Sequence, residues 1–195
     1  MNMDENKCDV CGQVFDTKAH LMEHAKVHMG NAKMDIRGSR VVVSSVIGGI
    51  VGGVLMLLVL MAGAAGMGLP STTFALIMGM GLGASMGSAV MVGVLGHFTV
   101  SIVAGAIFGA LVSYVKPLRL GKGPRSLALG LIFGIVVYIV FFLPMAMTVF
   151  ASVMMTLMGA KAAMMLPDVL VVGLIGHIVY GLTLGAITFY VGRRL

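Results

Sequence analysis

Three observations predict an all-α membrane protein, a bundle of four transmembrane helices with a small metal-binding module at its N-terminus. Hydrophobic residues make up 59% of the 195-residue chain and charged residues 10%, against about 25% charged in a soluble domain. The uncharged residues come in three blocks, Val41–Val115, Ser126–Ala160 and Val169–Gly192. A helix needs about 20 apolar residues to cross a ~30 Å hydrocarbon core, and a soluble fold of this length cannot hide so much apolar surface. By contrast, the first 40 residues hold twelve of the twenty formal charges, both cysteines and three of the five histidines.

That N-terminal segment comes first in the chain. Met1–Gly30 has no apolar run of the kind a secretory signal carries, so a cytosolic appendage is expected. Cys8-Asp9-Val10-Cys11 is followed after twelve residues by His24 and after three more by His28. A Cys-x2-Cys turn brings two thiolates together, and histidines four apart share one helix face. Phe15 and Leu21 supply the only core that so short a module can have. The full pattern, C-x2-C-x3-F-x5-L-x2-H-x3-H, resembles the Cys2His2 zinc-finger family. The resemblance implies a ββα module over residues 1–29 with Zn2+ on Cys8, Cys11, His24 and His28. A Cys8–Cys11 disulfide is the rival reading, and a reducing cytosol disfavours it.

DNA-reading fingers contact bases from helix positions −1, 3 and 6, which correspond here to Thr17, His20 and Glu23. Affinity for DNA rests on phosphate contacts, yet residues 1–28 carry a net charge of −2 and no arginine precedes Arg37. No sequence-specific DNA binding is expected, and a protein partner is.

Residues 30–40 read as a linker, and residues 41–195 as the membrane domain. The predicted spans are 41–64, 90–114, 126–149 and 169–192. The first block is long enough to hold a third span, but the basic residues decide against it. Lys33, Arg37 and Arg40 precede span one, Lys116, Arg119, Lys122 and Arg125 separate spans two and three, and Arg193 and Arg194 follow span four. Only Lys161 lies in an opposite loop, so four spans put every cluster on the cytoplasmic side. The chain is therefore expected in the cell membrane with both termini cytoplasmic. Ser71-Thr72-Thr73 after Pro70 predicts a short interfacial or re-entrant helix within 70–88, with residues 150–168 as its counterpart.

The two halves resemble each other. Val92-Gly93-Val94-Leu95-Gly96-His97 recurs eighty residues later as Val172-Gly173-Leu174-Ile175-Gly176-His177. Gly49 and Gly53 answer Gly130 and Gly134. Units of about 41–116 and 125–195, each with two spans, make a parallel repeat about an axis along the membrane normal. Every span has a four-residue glycine spacing, Gly49/Gly53, Gly105/Gly109, Gly130/Gly134 and Gly181/Gly185, suited to close packing within the bundle or in a homo-oligomer. Arg125–Gly130, Leu143-Pro144-Met145 and Gly176–Gly181 resemble segments of an uncharacterised four-span prokaryotic membrane protein family that shares the repeated Gly-His. That resemblance implies the four-span architecture and no activity.

His97 and His177 are the two histidines inside the predicted spans, and ionisable residues within a membrane are functional candidates. The repeat sets them across its axis, with spans two and four expected to cross near Gly96 and Gly176. Met78, Met80, Met86 and Met91 cluster in one half; Met154, Met155, Met158, Met164 and Met165 cluster in the other. Thioether and imidazole ligands suit Cu(I), so a copper-like metal or small-solute path is the alternative to packing. No nucleotide-binding loop or nucleophile–base pair is present, and no enzyme activity is expected.

Overall fold

Backbone inside hydrocarbon must satisfy its own hydrogen bonds, and a helix does so within one segment. The apolar blocks accordingly fold as helices. The computed structural model describes residues 6–115, 118 and 123–192, the side chains of 29–37 excepted. It divides into two units, Met1–Arg40 and Val41–Leu195. Among the described residues, four helices are long and apolar enough to span a membrane: Gly38–Gly66, Ala89–Tyr114, Gly123–Met158 and Lys161–Gly192. They include all four predicted spans, and the chain is a multi-pass membrane protein.

In the N-terminal unit the predicted ββα form needs correction, because no strand forms among the described residues. The chain makes a tight hairpin with one isolated bridge between Lys7 and Val14. Its backbone bonds run from Cys8 N–H to Gln13 O (2.8 Å), Gly12 N–H to Cys8 O (2.8 Å) and Phe15 N–H to Asn6 O (3.0 Å). Gly12 sits at φ +74°, a turn conformation that glycine adopts without a Cβ penalty. The helix starts immediately afterwards, leaving no length for a ladder. It runs Lys18–Gly66, so the residues read as a linker are helical. Isolated glycines such as Gly30 and Gly38 lower helix propensity without ending a helix.

In the membrane unit, glycines set the closest helix approaches. A Cβ on Gly49 would stand 2.5 Å from the Ser101 carbonyl oxygen, and one on Gly105 would stand 2.6 Å from that of Ser45. Spans one and two therefore touch backbone to backbone. Spans three and four do the same, with Gly130 against the Gly181 carbonyl and Gly185 against the Ser126 carbonyl. Each of the four small-residue motifs meets a partner within the chain. Buried hydroxyls bind the helices together: Ser126 Oγ donates to Gly185 O (2.7 Å), Ser45 and Thr188 hydroxyls lie 3.0 Å apart, and Tyr180 donates to Ser101 O (2.7 Å). Phe108 and Phe133 close the gap between spans two and three, with ring centroids 5.2 Å apart.

The short helix forms at Thr73–Gly81. Its Gly79 lies against the Ala89 carbonyl and Gly93 against that of Ala75, so it packs on span two. The second-half counterpart does not form. Span three continues to Met158, Gly159 turns at φ +59°, and span four begins at Lys161. Two prolines lie within these helices. Pro167 lies inside the fourth helix, while Pro144 lies between two π-helical turns, Tyr138–Phe142 and Ala146–Phe150. The wider turns give room for a ring that would strike the carbonyl of an α-helix one turn back.

Candidate metal centre and intramembrane cavity

Cys8, Cys11, His24 and His28 come together as the spacing predicts. One ligand atom from each lies within 4.8 Å of all the others. Cys8 is buried under the hairpin, and Cys11 is on its exposed side. His24 and His28 follow one turn apart on the helix, each presenting Nε2. His24 Nε2 is 2.9 Å from His28 Nε2 and 3.1 Å from Cys11 Sγ. A tetrahedral zinc site with bonds of roughly 2.0–2.3 Å would set such atoms about 3.3–3.8 Å apart, so small side-chain rotations complete the shell. Half-buried Phe15 packs against the His24 ring, with centroids 4.7 Å apart and the planes tilted by 39°. Backbone N–H groups of Cys11 and then Val10 point at Cys8 sulfur and hold its thiol below the usual range, favouring the thiolate that binds metal.

The helix start is capped locally. Thr17 Oγ1 accepts from His20 N–H at 3.2 Å, covering one of the unpaired first-turn donors. His20 Nδ1 and Asp16 Oδ1 lie 2.6 Å apart, and this bond lowers the Asp16 carboxyl below its ordinary value. Thr17 and His20, two of the three positions that read bases in DNA-binding fingers, are thus engaged in capping and pairing.

His97 and His177 both line one cavity of about 430 Å³ between the spans. His97 Nε2–H donates to Gly53 O on span one at 2.9 Å. His177 Nδ1–H donates to Gly173 O, one turn back on its own helix, at 2.7 Å. Both partners are carbonyls, so in each case the ring nitrogen is the donor. Around them stand Phe74, Phe141, Phe142, Phe150 and Tyr180. The Phe142 and His177 rings are 5.1 Å apart.

Spans two and four do not cross at Gly96 and Gly176. Gly96 faces Leu82 and Met78, and Gly176 faces Met56 of span one; spans two and four are joined instead by the Tyr180–Ser101 bond. The methionine clusters do not form a lining either. Of the nine singled out, only Met78 lines the cavity; Met86, Met91, Met155 and Met164 are exposed. Met56 and Met145, outside those clusters, line it instead. No sequence signal marks them, since their place depends on how three helices pack.

Comparison with known proteins gives no matching protein-family model, no matching curated protein and no matching solved structure. The resemblances read from the motifs stand on those residues alone.

Proposed function

We propose that this chain is a zinc-binding membrane protein that anchors or assembles with a cytosolic protein held by its N-terminal module. One observation carries the reading, the convergence of two thiols and two imidazoles within 4.8 Å. A mixed sulfur–nitrogen set of four suits tetrahedral Zn2+, and metal binding would supply the folding free energy that so small a core lacks. The local engagement of Thr17 and His20, with a net charge of −2 over residues 1–28, favours a protein over a nucleic acid. In this reading the chain performs no catalysis. It lies in the cell membrane with both termini cytoplasmic, because the basic residues flank the spans on one side. The two halves are copies of one two-span unit, a reading supported by the matching seams Gly49–Gly105 and Gly130–Gly185.

Metal analysis with affinity capture tests the proposal. One zinc per chain is expected, together with a soluble partner retained by the native protein and lost with Cys11→Ser. Stoichiometric zinc retained by Cys11→Ser combined with His24→Ala would remove these ligands, and partner capture that ignores zinc would remove the recruiting role. For orientation, cysteines placed at Thr72 and Lys161 should react with an impermeant thiol reagent in intact cells, and one at Lys122 should not. The opposite pattern would invert the topology.

A further inference from the structure

The cavity has a chemical character that packing alone does not require. Each histidine commits one N–H to a carbonyl, so in the neutral imidazole the other nitrogen, Nδ1 of His97 and Nε2 of His177, keeps a lone pair. Neither of these nitrogens has a hydrogen-bond partner among the described residues. No buried side-chain nitrogen or oxygen there lacks a partner, so these two are open to the space both rings line. Its other polar walls are already engaged: Tyr180 donates to Ser101 O, and Ser101 Oγ donates to His97 O. Among the described residues, no Asp, Glu, Lys or Arg lines the cavity.

We propose that the cavity between the spans binds an uncharged, hydroxyl-bearing aromatic molecule, its ring against the phenylalanines and its hydroxyl donating to His97 Nδ1 or His177 Nε2. The alternatives fit less well. A lipid acyl tail would fill the volume but leave both acceptors desolvated and unpaired, which carries the full penalty of a lost hydrogen bond. Water would pair with the two acceptors, but every further molecule in so large a space needs two to four polar partners, and the remaining hydroxyls already donate elsewhere. A charged ligand would have no counter-charge. Aromatic rings meet Phe74, Phe141, Phe142 and Phe150 in edge or offset contact. Span three makes its π-helical turns at Tyr138–Phe142 and Ala146–Phe150, the segments that supply three of those walls, and π turns are frequent at functional sites.

A matched pair of probes tests this on the full-length protein in lipid nanodiscs: 2-naphthol, and naphthalene, which has the same ring system without the donor. Saturable 2-naphthol binding is expected, about tenfold tighter than naphthalene, the scale of one net hydrogen bond. Replacing both acceptors, His97→Phe with His177→Phe, should abolish the preference, so that this variant binds 2-naphthol and naphthalene equally. Ala104→Leu, which grows a side chain into the cavity, should weaken both. Equal affinity for the two probes in the native protein overturns the proposal with no variant needed. So does a 2-naphthol preference that persists without the histidines. A second metal equivalent that disappears with His97→Phe would assign the lone pairs to a metal and overturn it as well.

Discussion

The N-terminal module and the membrane bundle each hold a pair of histidines, and the pairs differ in what their nitrogens face. His24 and His28 turn Nε2 toward one another and toward Cys11 sulfur, within a set of four donors. His97 and His177 each bind a backbone carbonyl first and offer the remaining nitrogen to an apolar cavity. In the module, the histidines converge because the fold has almost no other core. In the bundle, glycine seams and hydroxyls already hold the helices, so the histidines are not needed to assemble it. The same side chain thus joins a donor cluster where packing is scarce and a cavity wall where packing is abundant.

The widest separation between the two regions should come from removing metal ligands. Cys11→Ser or His24→Ala should abolish zinc binding, whose apparent free energy in such modules is about 10–16 kcal/mol. Limited proteolysis should then cut the N-terminal residues while the membrane unit keeps its thermal unfolding. Simultaneous loss of both units would break the comparison. Acid should imitate the change. Because N–H groups hold the Cys8 thiol low, the thiolate contributes in full above the ordinary thiol range, near about pH 8.5. Its contribution goes as pH falls through the lower folded value. Zinc release measured with a chromogenic chelator should therefore rise on acidification and leave the bundle intact.

Next in size should be the glycine seams. Gly130→Ala and Gly185→Ala push a methyl into facing backbone and should each cost the bundle about 1–3 kcal/mol, the usual range for overpacking. Gly66→Ala, with open space around it, should cost nothing measurable in the same detergent unfolding assay. Equal effects at all three positions would mean that the seams do not hold the bundle.

His97→Ala and His177→Ala should do less, about 1 kcal/mol each, and should add, with the zinc content unchanged; loss of zinc would merge the two histidine classes. Smallest is Ser126→Ala, which removes the bond to Gly185 O. It should cost about 0.6 kcal/mol, the mean for interhelical hydrogen bonds in a membrane protein, and a loss several times larger would give the hydroxyls the role assigned here to the glycines.

Most of the architecture was legible in the sequence because charge is so costly in hydrocarbon that its absence marks the spans. The cluster of Cys8, Cys11, His24 and His28 was legible in the spacing of the four residues along the chain. The segment 150–168 was misread because the repeat made it the counterpart of 70–88, whereas the third helix continues to Met158 and the fourth begins at Lys161. The hairpin was overestimated, because a spacing that fixes ligands does not fix a β ladder. The cavity had no sequence signal beyond the two histidines. Phe74, Phe141 and Met56 meet there only through the packing of the short helix and two spans, and no local pattern reports that.

A π turn is an α-helix with a residue to spare, and span three contains two of them around Pro144. Removing that residue would restore ordinary helical winding and leave everything beyond it near the face it already holds. Ala89–Tyr114 is α-helical throughout and has no residue to spare, so a deletion there between His97 and Gly105 would rotate everything beyond it by about 100°. Span three can therefore be shortened without unmaking its part of the cavity wall, whereas span two cannot be shortened without parting its histidine from its glycine seam. A single-residue deletion within Tyr138–Phe142 should keep both the span and its phenylalanine walls.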